Sequence, residues 1–330
     1  MRTDHVKWEW FPPEGDVWDL TAGDRGVKMS TDQAGLHWPD IKQVWSDNGI
    51  DRLGVEVGRL EPTLKLQVGV GMTGMEYYRC LNEWQRANSP HRLGTLRCTR
   101  PDGTSREQKF YLRDSPDTTW GYDPGAGIED NPDEVWPLVS PESWWDSSEV
   151  TQWKVYGEGV PMNARLRKEF YGDEGKGWPL YVTDGALYVR NLGDAPLWVS
   201  WLFVGTRESF RVGLVEPSLS DEKRQGYVKG MFSVNLHDVN ESTSIHIQDG
   251  YRLNLDTDPM KPEAGLRDNQ GNNPYYAWSW IDAASFVPVM PGERKRVHVD
   301  DNPFADEEDD DGVVDLDVYL IIRPRYALPF

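Results

Sequence analysis

Cysteine is nearly missing from this chain: 330 residues hold two, Cys80 and Cys98, too few for a disulfide framework. No metal-site spacing accompanies them, so free thiols are expected. A bridge between the two stays open, because Cys80 falls on a predicted helix and Cys98 on the strand after it, where both can face one core. Histidine is also scarce, with six in all, and none lies in an HExxH pattern. GxSxG and GxxxxGK are absent too, which removes the strongest hydrolase and phosphate-loop signatures. His237 and His246 fall on predicted strands and receive no role. Nowhere do 18 apolar residues run together, so no membrane-spanning helix is expected. The opening MRTDHVKWEWFPPEGD has no apolar run of the signal-peptide kind, and a soluble chain made in a reducing cytosol is expected. Positive charge is in deficit: Lys and Arg number 35 against 55 Asp and Glu, a formal net charge of −20. A nucleic-acid clamp needs the opposite sign to release phosphate counterions.

What the chain has in quantity is aromatic surface. Trp 16 and Tyr 14 offset a hydrophobic share of only 38%, since each large ring buries far more area than an average side chain. The length suits two domains. The organising stretch runs from Leu64 to Arg113. Leu64, Leu66, Val68 and Val70 alternate with Lys65, Gln67 and Gly69, the period of a half-buried strand. Thr73 and Glu76 have capping-box spacing, and Met75, Tyr78, Leu81 and Trp84 then recur every three residues, predicting a helix over Met75–Asn88 that Ser89-Pro90 stops. Leu93–Thr99 and Glu107–Leu112 flank the turn Pro101-Asp102-Gly103-Thr104, which predicts a hairpin. Gly69-Val70-Gly71-Met72-Thr73-Gly74 matches GxGxxG between strand and helix. A dinucleotide fold is still not the better reading, because it needs parallel strands buried on both faces and several crossover helices. The glycines are expected to ease a strand-to-helix bend.

Residues 1 to 50 read as short strands and loops, with Trp8, Trp10, Trp18, Trp38 and Trp45 scattered between turn signals, and Leu53, Val55 and Val57 alternate as a further strand. From Ser115 to Gly159 prolines and tryptophans mix in irregular backbone, with strands expected at Val135–Val139 and Gln152–Tyr156. Gly157-Glu158-Gly159-Val160-Pro161 looks like a linker, which sets domains at 1–160 and 161–330. The second half reads as strand after strand. Leu197–Val204 suits a strand covered on both faces, while Val228–Val239, Ser244–Leu255, Val297–Val299 and Val314–Ile322 alternate. Two antiparallel sheets packed face to face would bury those stripes. The fold class expected is therefore mainly β with one principal α-helix.

Two acidic features invite chemistry. In the run Asp306 to Asp311, setting Gly312 as sixth residue of a calcium loop puts Glu307, Asp309 and Asp311 at the ligand positions, but the twelfth falls on Val318 where a bidentate Glu belongs. An exposed acidic loop is the better reading. Paired carboxylates of glycosidase type can be nominated anywhere among so many acids and carry no information. No catalytic, cofactor-binding or metal-ligating residue is assigned. Exposed tryptophans on a β-sandwich could stack on sugars, and a non-catalytic carbohydrate-binding module at a host surface is the alternative reading.

Taken in order, several short pieces resemble one family. These are Val17-Trp18-Asp19-Leu20-Thr21 with Gly26-Val27, the helix with Trp84, Gly94-Thr95-Leu96, Pro101-Asp102-Gly103, and Val135 to Trp145 with its aromatic pair. The second half adds Asn191-Leu192-Gly193-Asp194-Ala195-Pro196, Leu255-Asp256-Thr257-Asp258, Pro291-Gly292 and the ending Arg325 to Phe330. Over most of its length the chain thus resembles the distal tail proteins, or minor tail proteins, of long-tailed phages that infect actinobacteria. The resemblance implies a ring-forming N-terminal domain with one helix and a C-terminal galectin-like β-sandwich. It implies a homohexameric hub at the distal end of the virion tail, joining the tail tube to tail-tip hub and other minor tail proteins, with the tape measure protein a possible neighbour. DNA passes through such a hub without specific binding. No enzyme activity, cofactor or membrane insertion comes with it.

Overall fold

The computed structural model describes residues 5–46, 51–117, 123–126, 133–161, 169–172, 178–205, 209–217, 231–235, 252–259, 263–267, 275–276, 281–282, 286–300 and 316–330. His237, His246 and the acidic run 306–312 lie outside the described residues. The fold is mainly β, and every strand pairing described is antiparallel. The chain divides into two compact units, Met1–Glu149 with Arg325–Phe330, and Val150–Pro324.

That division differs from a boundary at residue 160, and strand pairing gives the reason. Strand β11 (Thr151–Tyr156) pairs with β22 (Leu316–Ile322) of the second unit, while β23 (Arg325–Tyr326) returns to pair with β10 (Trp145–Ser147) of the first. Gly157, read as part of a linker, instead sits at φ 114° against β22, where an added Cβ would lie 2.1 Å from Asp317 Oδ1. The glycine marks a close approach of two backbones.

In the first unit the strands run β2 (Trp18–Asp19), β1 (Lys7–Phe11), β7 (Gly94–Thr99), β8 (Ser105–Leu112), β9 (Glu134–Val139), β6 (Thr63–Val68) and β3 (Val27–Met29). Strand β6 buries Leu64, Leu66 and Val68 in strict alternation, and β7 with β8 forms the expected hairpin. Helix α1 spans Gly74–Ala87 and buries Tyr77, Cys80, Leu81, Trp84 and Ala87. The expected face is off by one position at its start: Met75 is 67% exposed, and Tyr78 sits at the rim, donating its hydroxyl to Asp123. Steps of three alone drift around a helix of 3.6 residues per turn, whereas 77, 80, 81, 84 and 87 hold one face. The capping box does not form either. Thr73 has the extended N-cap backbone but makes no side-chain cap bond; at the other end Asn88 Nδ2 donates to the Trp84 carbonyl at 2.7 Å.

The GxGxxG stretch serves the bend. Gly69, Gly71 and Gly74 all have positive φ, and β6 runs antiparallel to both β3 and β9. At Gly69 an added Cβ would fall 2.1 Å from the ring of Tyr77, so the helix's first buried aromatic occupies the space a side chain would take. Beside it, Trp84 meets Trp10, Trp18 and Trp136 edge to face at 6.4, 5.3 and 5.5 Å between ring centroids.

The second unit packs two sheets around one core, a β-sandwich. One runs β11–β22–β14 (Ser200–Gly205)–β17 (Arg252–Asp256)–β18 (Glu263–Arg267)–β19 (Tyr275–Tyr276). The other runs β12 (Leu180–Thr183)–β13 (Ala186–Arg190)–β21 (Arg294–Asp300)–β15 (Ser209–Val215)–β16 (Met231–Asn235)–β20 (Ile281–Asp282). Trp201, Phe203, Leu253, Leu255, Val318 and Leu320 from the first meet Leu180, Val189, Phe210, Val212 and Leu214 from the second. The apolar run expected over Leu197–Val204 is split: Leu197 makes an isolated bridge with Val289, and the ladder of β14 begins at Ser200.

Two substitution series test this packing. Trp84→Ala removes the ring shared by three others and is expected to cost about 3–5 kcal/mol, seen as a large fall in Tm. Gly71→Ala meets open space and is expected to cost about 1 kcal/mol through its positive φ alone, whereas Gly69→Ala adds the clash with Tyr77 and should cost clearly more. Equal losses at the two glycines would contradict the close-approach account.

Candidate interaction surfaces

Three groups with altered titration, Glu134, Tyr77 and Cys80, lie at α1's buried face. Glu134 on β9 is 2% exposed, accepts one hydrogen bond from Trp136 Nε1 at 3.1 Å, and its Oε1 finds no partner among the described residues. Burial raises its carboxyl above the usual range, with the indole N–H opposing. Burial, with Glu134 next in weight, pushes the Tyr77 phenol up to about 12. Cys80 donates its thiol to the Arg25 carbonyl at 3.3 Å, and burial pushes the Cys98 thiol up to about 12. Both thiols are free in this structure, and burial that raises their pKa makes them poor nucleophiles. Among the described residues no group of three His, Cys, Asp or Glu is placed to hold a metal ion. This is a core cluster, walled by Tyr77, Leu66 and Trp136.

The first unit's exposed feature is a different one. Strands β4 (Ile41–Trp45) and β5 (Arg52–Val57) pair only with each other among the described residues. Ile41 faces Val57 and Gln43 faces Val55, while Lys42 faces Glu56 in an ion pair at 3.5 Å. Since side chains alternate across a strand, Ile41, Val55 and Val57 share one face of the hairpin and the ion pair marks the other. A bulge near the tip shifts the register so that Trp45 pairs with Arg52. Trp45 is 51% exposed and Leu53 67%, and none of these side chains joins the first unit's core. The alternation read in Leu53, Val55 and Val57 is present, but the stripe faces outward. Trp38 is exposed just before it. The sequence alone did not tell which tryptophans are core and which lie outside it; Trp38 and Trp45 lie outside.

In the second unit a cavity of about 310 Å³ opens on one sheet, lined by Ser200, Trp201, Asn254, Leu255, Asp256, Arg267 and Ile321. No sequence motif marked these residues, which come from four strands.

Replacing Glu134 tests the buried cluster. A carboxyl whose folded pKa is raised holds its proton more tightly when folded, so its share of stability is present in acid and lost as pH rises through the folded pKa. Glu134→Gln should therefore have a higher Tm than the parent near neutrality, and lose that gain as pH falls toward about 4. A Tm difference that stays constant with pH would contradict it.

No family model matches the chain, and neither does any curated protein. Solved structures do. The Dit protein (gp 19.1) of SPP1, titled a paradigm of hub adsorption apparatus in Gram-positive infecting phages, is similar with a TM-score of 0.56 at 8% identity, over 96% of this chain and 98% of that one. A chain of the phage P2 baseplate in its activated conformation with Ca is similar with a TM-score of 0.50 at 12% identity, over 98% and 99%. The corresponding structure with Sr gives 0.51, at the same identity and coverage. Across both of its units, then, this chain has the fold seen in phage hub and baseplate proteins.

Proposed function

We propose that the chain is a structural, non-enzymatic subunit of a phage virion, forming the distal tail hub of a long-tailed phage of the kind that infects actinobacteria. The observation that carries this reading is the likeness in fold over nearly the whole of both chains to a protein titled as a hub. Copies assemble into a ring, six to the ring, with the first unit forming it and the second, a galectin-like sandwich, standing as the outer module. The ring joins the tail tube to the tail-tip hub and other minor tail proteins, with the tape measure protein passing nearby.

The β4–β5 hairpin supports self-association. A lone two-stranded hairpin is marginally stable in water, and an apolar face without cover costs solvation free energy. Cyclic rings close through two different patches, one seated on the next copy, and a projecting hairpin suits the seated half. The net charge of −20 suits a conduit for DNA that must not hold phosphates.

Native mass measurement of the purified full chain tests the ring: six copies are expected, and a monomer at every accessible concentration would overturn it. Leu53→Asp with Val55→Asp should shift the assembly toward monomer while leaving the monomer's Tm within about 1 °C, because neither side chain is part of the core. Intact assembly in that variant would remove the hairpin from the interface.

A further inference from the structure

We infer that Glu134 is a proton-operated latch beneath α1, such that loss of its proton lets the first half of the helix open locally while the strands of the first unit stay paired. The hub reading neither requires this device nor supplies it. The latch rests on where the carboxyl lies. Glu134 stands on β9 opposite Leu66 of β6, 2% exposed, with Oε2 accepting from Trp136 Nε1 at 3.1 Å and Oε1 without a partner among the described residues. From α1, the charge of Glu134 is felt by Tyr77 and Cys80, which both keep their protons over the range in which a carboxyl titrates. Arg25, whose charge reaches Cys80, lies over the Trp18 ring at 3.9 Å and pairs with Glu83 at 3.5 Å. Asp133, next along the chain, accepts the Ser30 hydroxyl at 2.5 Å, and Asp123 accepts that of Tyr78. Among the described residues no Lys, Arg or His lies against Glu134.

A carboxylate in that place has one hydrogen bond and no counter-charge, which costs far more than burying the neutral acid. When the helix lifts, water reaches the carboxyl and its titration returns toward about 4.3. The closed form therefore binds the proton more tightly than the open one. Its advantage is complete in acid and shrinks as pH rises through the closed form's raised pKa. Across that window opening grows by up to about tenfold per pH unit. Hydrogen bonds decide which element yields. Strand β9 is held by the ladder to β6 and, at Val135, by a pair of 3.0 Å bonds with Asp117. The first turn of α1 has no comparable ladder: Thr73 makes no side-chain cap bond, and Gly69, Gly71 and Gly74 lead into it with positive φ. The far end is fastened, since Trp10 Nε1 donates to the Ala87 carbonyl at 3.4 Å and the Leu112 N–H to the Ser89 carbonyl at 3.3 Å.

The chain's two thiols report the event, because Cys80 lies on the buried face of α1 and Cys98 is buried on β7 of the hairpin. The full chain is labelled with N-ethylmaleimide between about pH 5 and about pH 8, and the two sites are resolved by peptide mass. Dividing each rate by that of the denatured chain at the same pH removes the change in thiolate fraction and leaves the opening equilibrium. The normalised rate at Cys80 is expected to rise with pH, by up to about tenfold per unit over part of that range, while Cys98 stays flat. Glu134→Gln, with no proton to lose, should make Cys80 flat as well. A Cys80 rate independent of pH in the parent overturns the proposal whether or not the variant folds. So does an equal rise at both cysteines, which marks global unfolding, or a rise that survives in Glu134→Gln.

Discussion

Trp84 is the side chain on which the first unit depends. It projects from the C-terminal part of α1's buried face and meets Trp18 of β2, Trp10 of β1 and Trp136 of β9, so a single ring ties the helix to strands at one end and in the middle of the sheet. Its indole N–H finds no acceptor among the described residues, which shows that packing governs the position. An unmet donor costs about 1–3 kcal/mol, comparable to or less than what burial of the ring returns. Everything near it is arranged to let the helix come close: Gly69 gives room to Tyr77, Gly94 gives room to Trp10, and Gly26 faces Met72 and Cys80. Gly69 and Gly94 are a consequence of the large rings, since backbone that a ring packs against has no room for a Cβ.

The second constraint is closure of the first unit by the last six residues. Arg325 is buried and its Nε donates to Asp146 at 3.1 Å, with Glu142 at 3.6 Å. Next to it the Arg106 guanidinium lies 3.7 Å from the centre of the Tyr326 ring and donates to the Phe330 carbonyl at 3.2 Å. A buried guanidinium left without its carboxylates is strongly destabilising, so the returning strand cannot leave cheaply. The second unit is thus a long insertion in sequence between β10 and β23, and the first unit needs Arg325–Phe330 to be complete.

How much of this was legible in the sequence depended on range. Strand β6, the β7–β8 hairpin, the helix and the sandwich stripes β21 and β22 could be read because their signals are local: alternation, a Pro-Asp-Gly turn, a helical repeat. The one-residue error in the helix face arose from following Met75, an apolar residue that happens to lie outside. The boundary near residue 160 was misplaced because Gly157 reads the same whether it opens a linker or presses against a neighbouring strand, and only pairing with β22 tells the two apart. The return of Arg325 to Asp146 spans 179 residues and leaves no local trace. The cavity on the second unit was equally silent, since Ser200, Asn254, Arg267 and Ile321 are ordinary outward-facing strand residues until register sets them side by side.

Under the proposed ring, charge and apolar exposure place opposite demands on the chain. A formal charge of −20 repels any second copy at long range, but at physiological salt such fields decay within about 8 Å. Contact then depends on what is present at the point of touch. On the β4–β5 hairpin the apolar side presents Ile41, Val55 and Val57, and its one paired charge, Lys42 with Glu56, is both neutralised and on the far side. Burying that face removes hydrocarbon from water without stripping a carboxylate, a cost that most other patches of so acidic a surface would incur. Exposed hydrocarbon on the hairpin is therefore compatible with an acidic surface elsewhere.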